Sequence, residues 1–258
     1  MTAAAGIIKG QVTRLTVLDY GTFQVHPTPP LTQGRIIGIA GFLIQTDQGE
    51  NILVDSGFPP AYADDPAVAS AADGLGSFGQ ILKLTAVNLP AGQLALCGLT
   101  PADITLIILT HSHIDHVGSL AGFPGIPVLR SAPEAALSKP LYFRDKRSMD
   151  WPDATYLSIA KDTQIGPGLR LLFTPGHVPG QLALWLELPD SGPVLLTSDA
   201  ISRPAEVEEG FATADDPEAA ISSALRILKL AAGAGATVIY GHCPAQWPVL
   251  PKAPDSFT

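Results

Sequence analysis

The chain has 258 residues, 46% of them hydrophobic and only 15% charged, which supplies a sizeable core and excludes the disordered, highly charged class. A formal net charge of −9 excludes the clustered Lys and Arg surface that nucleic acid or an anionic membrane requires. Two cysteines, Cys97 and Cys243, make no disulfide framework. With no apolar leader in the first ten residues, a reducing, cytoplasmic setting is expected.

The first predicted strand covers 12–18. Residues 35–46 and 51–54 form a predicted hairpin with Asp47-Gln48-Gly49 as its turn, ended by Asp55-Ser56-Gly57. Residues 58–98 hold Pro59, Pro60, Pro66, Pro90 and several glycines, and read as an irregular, lid-like insert. Pro101 suits a short helix start. Residues 104–109 are apolar and β-branched, as a buried strand is. Ser131-Ala-Pro-Glu134 fits a capping box opening a helix to about residue 138. Strands follow at 169–174, 181–188 and 194–197. Asp216-Pro217 opens a helix with Ile221, Ala224, Leu225 and Leu228 on one face, ended by Gly233 or Gly235. A last strand covers 237–240. The most apolar stretches, 81–99 and 224–240, carry Lys83, Pro90, Arg226 and Lys229, so neither suits a membrane span. Strands with interspersed helices in both halves point to an α/β architecture: two mixed sheets packed face to face, helices outside, as one domain over 1–258.

Residues 111–116 read His-Ser-His-Ile-Asp-His, which places three of the six histidines in six positions. They follow the predicted strand 104–109, a rigid platform whose side chains have few rotamers left to lose. His111 and His113, two apart, project to one side of an extended segment. Asp115 and His116 on the following turn reach a second point nearby. His177, Asp199, His242 and Asp55 each follow another predicted strand, so aligned strands bring them to one rim. Histidine and carboxylate without cysteine suit Zn²⁺, and also Mn²⁺, Fe²⁺ or Co²⁺. Seven ligands exceed one tetrahedral ion and fit two divalent ions. The expected allocation is His111, His113 and His177 on the first, Asp115, His116 and His242 on the second, and Asp199 bridging. Two ions ~3.5–4 Å apart leave room for a bridging water, held as hydroxide near neutral pH. Asp55 is then expected to orient a histidine or the loop backbone. His26, before Pro27 in a proline-rich loop, reads as an ordinary surface residue.

The His-x-His-x-Asp-His loop, the later histidine in Thr-Pro-Gly-His, the Asp199 strand end and the terminal Gly-His resemble the metallo-β-lactamase superfamily. More narrowly, the chain resembles the N-acyl-homoserine lactonases, the quorum-quenching branch. Val17-Leu-Asp-Tyr20, Ile52-Leu-Val-Asp-Ser-Gly57, Thr174-Pro-Gly-His-Val-Pro-Gly180, Leu195-Leu-Thr-Ser-Asp-Ala200 and Asp216-Pro-Glu-Ala-Ala-Ile-Ser-Ser223 carry that likeness. The resemblance implies an αββα sandwich and a metal-dependent hydrolase that opens a lactone ring. In that chemistry a bridging hydroxide attacks a carbonyl polarised by one ion, while the other steadies the leaving alkoxide. Asp115 is the expected proton shuttle. The implied partner is a small-molecule lactone, with no nucleic acid or membrane, on a monomer or homodimer. The pocket is expected to be lined by the 58–98 insert and by 141–156, where Tyr142, Phe143, Trp151 and Tyr156 suit an acyl chain.

Two positions depart from the branch. A tyrosine commonly lies three residues after the bridging aspartate, where this chain has Ser202. The oxyanion must then rely on metal, on water, or on another donor from 141–156. Cys243 follows His242 where an aspartate is common, and as its strand-end neighbour should face away from the metals. Other hydrolases share the scaffold: thioesterases, β-lactamases and lactonases for other rings. A glutathione thioesterase needs basic residues near the C-terminus, and no such cluster is present. An iron-dependent redox enzyme and a non-catalytic metal-binding module are the remaining alternatives. The complete ligand set argues against the module.

Overall fold

The computed structural model describes residues 6–27, 34–143 and 148–258. The first sheet holds β1 (Val12–Val25), β2 (Arg35–Thr46), β3 (Asn51–Val54), β4 (Gly79–Lys83), β5 (Leu106–Ile108), β6 (Val128–Ser131) and β7 (Tyr156–Ile159). Its order is β4-β1-β2-β3-β5-β6-β7. The β4–β1–β2–β3 end is antiparallel, and β3, β5, β6 and β7 run parallel. The second holds β8 (Thr163–Gly166), β9 (Leu169–Phe173), β10 (Leu182–Leu188), β11 (Gly192–Leu196) and β12 (Thr237–Ile239), in the order β12-β11-β10-β9-β8. Only the β11–β12 pair is parallel within it.

Both sheets are covered on both faces, which explains the near-continuous apolar runs. Along β2, Phe42 and Ile44 enter the layer between the sheets while Leu43 faces the outer layer. Along β10, Leu182, Leu184, Leu186 and Leu188 face inward and Ala183 and Trp185 outward. The period of two therefore sorts each strand into two apolar layers. The outer layer of the first sheet takes Tyr62, Ala69, Leu94, Ile114 and Val117. That of the second takes the long helix over Pro217–Ala234, labelled α7, through Ala220, Ala224, Ile227 and Ala231. This α/β sandwich of two mixed sheets flanked by helices is the predicted architecture. No helix among the described residues is long and apolar enough to cross a membrane.

Local expectations fare unevenly. The hairpin 35–46/51–54 forms with the predicted ends. β1 continues past residue 18 to Val25, because Asp19-Tyr20-Gly21 is a bulge rather than a stop. Gly21 has φ +108°, and a Cβ there would lie 2.2 Å from the Lys83 carbonyl oxygen. The 58–98 segment is not irregular. It contains α1 (Ala61–Asp64), α2 (Pro66–Asp73), strand β4 and α3 (Pro90–Leu96). Pro66 and Pro90 sit in first helical turns, where the missing N–H costs nothing, and Asp65 caps α2 by accepting from Ala67 and Val68 N–H. Residues 101–103 form a 3₁₀ turn. The Ser131 helix, α5 (Ala132–Ala135), is a single turn and ends short of residue 138. Helix α7 (Pro217–Ala234) ends at Gly235 with φ +65°; of the expected face, Ala224 is buried and Ile221 and Leu228 pack against the core, but Leu225 is 56% exposed and the buried stripe runs through Ala220, Ser223, Ala224, Ile227 and Ala231. Strands β6, β7 and β8 had no prediction. The expectation of no leader falls partly on residues 1–5, and the 141–156 pocket segment partly on 144–147, both outside the described residues.

Candidate metal centre

The ligand-bearing loops leave the ends of five strands. After β5, His113 stands at the N-terminus of α4 (Ile114–Val117), whose single turn carries Asp115 and His116. The predicted turn is therefore a helical one, closed by His116 and Val117 N–H bonds to the His113 carbonyl at 2.9 and 3.0 Å. His177 follows β9, where a Cβ on Gly176 (φ +147°) would lie 2.3 Å from Ala220 Cα, so only glycine lets this loop pass α7. Asp199 lies in a 3₁₀ turn after β11, and His242 follows β12. Asp55, after β3, takes φ +61°.

Their side chains converge. His113 Nδ1 is 2.9 Å from His111 Nε2 and 3.1 Å from His177 Nε2. Ligands ~2.0–2.1 Å from a tetrahedral ion stand about 3.3 Å apart, so these three nitrogens have close to the spacing of one coordination sphere. Asp115 Oδ2 lies 3.6 Å from His116 Nε2 and 3.5 Å from His242 Nε2, forming a second trio. Asp199 lies between them. Its Oδ2 is 3.4 Å from His177 Nε2, and its Oδ1 is 3.1 Å from His242 Nε2 and 3.5 Å from His116 Nε2. One carboxylate thus offers one oxygen to each trio.

The surroundings fix which nitrogen each ring presents. His116 Nδ1 contacts Asp55 Oδ2 at 2.8 Å, which leaves its buried Nε2 aimed into the cluster without a hydrogen-bond partner. His242 Nδ1 is 2.9 Å from the Gly38 carbonyl, turning its Nε2 inward. Besides contacting His116, Asp55 accepts from Thr110 N–H and from Thr110 Oγ1–H, each at 2.8 Å. A second brace holds the loop from outside. Tyr142 (φ +59°) donates its N–H to the Ser112 carbonyl and accepts from Ile114 N–H, both at 2.8 Å. Its phenol donates to the buried Asp73 at 3.0 Å, which also accepts from the Tyr62 phenol at 2.9 Å. Ser112 Oγ–H donates to buried Glu134, so that carboxylate serves the metal loop rather than its own helix cap.

Electrostatics separates the trios. Burial, then the neighbouring imidazoles, hold His111 well below the usual histidine range. Burial and His177 push His113 down to about 3. Burial opposes charge on His116, but Asp115, Asp55 and Asp199 outweigh it and lift the ring to about 10. Asp199 and Asp115 likewise lift His242 to about 9 against its burial. Burial disfavours charge on Asp199, yet His242 and His116 keep it well below the ordinary carboxylate range. Three carboxylates around buried imidazoles call for positive charge at this point. Divalent cations meet that demand, and the donor set fits them.

Beside the cluster opens a cavity of about 410 Å³. One side is apolar, with Phe23, Ile39, Phe58, Leu75, Phe78 and Phe143. The other is polar, with Arg35, Ser202, Arg203, Glu206, Thr213 and Asp215. Tyr142 and Phe143 are among its lining residues. Trp151 is not: its ring covers the Arg130 guanidinium at 4.0 Å and its indole N–H donates to the Leu137 carbonyl at 3.0 Å. Tyr156 stacks on the other side of that guanidinium, at 4.2 Å. The two rings sandwich the buried Arg130 guanidinium, two of whose nitrogens have no hydrogen-bond partner among the described residues. Ser202 lines the cavity, its N–H donating to Glu206 Oε2 at 2.6 Å. Cys243 is buried and belongs to neither trio. His26 lies outside the cluster. Sequence reasoning missed Arg35, Arg203 and Glu206; charge at an apolar strand's start and beside a ligand turn was the available signal.

Two sheets with strand-end histidines and a shared aspartate define a metallo-hydrolase scaffold. Residues 38–242 match the Metallo-beta-lactamase superfamily, and the chain belongs to it. Within it, the chain is 34% identical over 220 residues to the N-acyl homoserine lactonase AiiA of Bacillus thuringiensis subsp. kurstaki, covering 82% of this chain and 84% of that one. It is 31% identical over 275 residues to the N-acyl homoserine lactonase AttM of Rhizobium radiobacter, covering 95% and 98%. The structure of an N-acyl homoserine lactone hydrolase with N-hexanoyl-L-homoserine bound at its catalytic metal centre superposes with a TM-score of 0.81, at 28% identity, over 96% of this chain and all of that one.

Proposed function

We propose that the chain hydrolyses the lactone ring of N-acyl homoserine lactones at a dinuclear centre, with Zn²⁺ as the resident ion. The observation that carries this reading is Asp199, whose two oxygens face two separate trios. His111, His113 and His177 would hold one ion, Asp115, His116 and His242 the other, and Asp199 both. Bound there, divalent ions supply Lewis acidity for the ester carbonyl and a water acidic enough to attack near neutral pH.

The chain's own groups do the rest. Asp55 keeps His116 Nε2 turned inward, and the Gly38 carbonyl does so for His242. Asp115 is the most exposed carboxylate of the cluster, at 18%, and lines the cavity. It is placed to take the proton of the attacking water and pass it to the ring oxygen as that bond breaks. The apolar side holds the acyl chain and excludes water from the reacting ester. Ser202 is too short to act as a phenol there, and the Tyr142 phenol is committed to Asp73, so neither supplies the oxyanion donor.

A pH-drop assay of metal-reconstituted protein over lactones, esters, thioesters and β-lactams tests the reading, with elemental analysis of the same sample. Acyl homoserine lactones should be opened fastest, with two ions per chain. Fastest turnover of a thioester or β-lactam would replace this reading. Full activity with one ion would remove the dinuclear part.

A further inference from the structure

The ring opening proposed above makes no use of two cationic residues that line the cavity. Arg35, at the start of β2, and Arg203, in the turn after Asp199, both line it. The Nε of each is buried and without a hydrogen-bond partner. A donor taken out of water and left unpaired costs free energy, more so when it carries charge. Arg203 has partial relief, because its Nη2 pairs with Glu209. Arg35 makes no ion pair among the described residues. Burial and then the adjacent positive charge of Arg203 pull the Arg35 pKa down from its ordinary value.

Both arginine side chains line the space that the hydrocarbon wall also borders, so a ligand chain lying there passes them. Charge decides what kind of ligand group fits. Glu206 and Asp215 line the same side, and Glu209 stands close to both arginines. An anionic group would meet at least as many negative charges as positive ones. A neutral oxygen accepts the N–H without that repulsion.

We propose that Arg35, with Arg203 beside it, is a specificity determinant that selects acyl chains bearing a carbonyl or hydroxyl oxygen over plain hydrocarbon chains. The inference rests on the lactonase reading above. It assigns to Arg35 a contact with substrate remote from the ester, so its effect falls on discrimination rather than on the ring-opening step.

The test measures kcat/KM of metal-loaded protein on homoserine lactones with acyl chains of several lengths. The chains are plain, carry a ketone or hydroxyl at successive positions, or end in a carboxylate. Wild-type protein should prefer an oxygen at one position over the plain chain of equal length by about tenfold, the ratio one hydrogen bond to a charged group supplies. Arg35→Leu should bring that ratio close to one. Arg35→Lys should restore only part of it, since the ammonium lacks the planar fork. Partial misfolding or metal loss lowers both rates and leaves the ratio unchanged, so the ratio reports the contact itself. No preferred position in wild type, a preference that survives Arg35→Leu, or the highest rate on the carboxylate chain would each overturn the inference. If no lactone of any chain is opened, the lactonase reading itself has failed and the inference falls with it.

Discussion

The two trios of the metal cluster differ in what surrounds them. His111, His113 and His177 are imidazoles alone, and burial holds His111 and His113 neutral. Asp115, His116 and His242 are set among carboxylates, with Asp55 bonded to the back of His116. The first trio is a ready set of lone pairs. The second is an acidic nest whose imidazoles hold protons until a cation displaces them. Similar imidazoles within a few ångströms thus differ in basicity by several pK units, because the carboxylates beside them, Asp115 and Asp199 within the cluster and Asp55 behind His116, set it.

The most severe way to break this pairing is Asp199→Ala, which removes the oxygen each trio shares. Occupancy of both ions should fall, and kcat by on the order of a thousandfold or more, the rate equivalent of several kcal/mol of lost charge stabilisation. Elemental analysis alongside kinetics checks it. His242→Ala should chiefly empty the acidic trio, so equal single-ion losses in the two variants would refute the allocation. Asp55→Asn sharpens the contrast further: it keeps shape, removes the charge behind His116, and should weaken the second ion about 10–100-fold with little effect on the first. Competition with a chelator measures both constants.

In the metal-free protein, His113 should titrate in the opposite sense to His116 and His242. His113, pushed to about 3, destabilises the fold as pH falls below the unfolded histidine value, because the unfolded chain then binds the extra proton. Asp199, held low, loses its contribution at acid pH in the same direction. His116 and His242, raised to about 10 and about 9, stabilise the fold below the unfolded value and lose that contribution as pH rises through theirs. Thermal stability without metal should therefore peak near pH ~6.5 and fall on both sides. A flat profile between pH ~6.5 and ~10 would remove the proton-holding account of the second trio. The smallest effect belongs to Ser202→Ala, which should cost under about tenfold in kcat, or roughly 1.4 kcal/mol. A hundredfold loss with both metals retained would make that serine catalytic.

The cluster of candidate ligands was legible because its members stand at strand ends. Six positions, 111–116, announce it, and His177, Asp199 and His242 each stop an apolar run. The hairpin and the two-sheet layering were legible for the same reason, since a period of two leaves a clear trace. Misreadings came where a residue serves a distant partner. Glu134 looked like a helix cap and bonds Ser112. Trp151 looked like pocket lining and covers Arg130. Prolines in 58–98 read as marks of an irregular insert, yet Pro66 and Pro90 begin helices. Arg35 and Glu206 meet the cavity only through tertiary packing, which no short-range pattern encodes.

The Asp73 carboxylate has a consequence beyond positioning. Two phenols share it, Tyr62 from the helical insert and Tyr142 from the strap bonded to residues 112–114. Neither α1 nor α2 supplies a ligand, yet both are bolted to the loop that does. The insert and the ligand loop should therefore open as one cooperative unit. Amide protons in α2 should exchange more slowly once cations bind, reporting occupancy from a part of the molecule that never touches them. Tyr142→Phe, which removes one bolt, should uncouple that report while the ligands themselves stay in place.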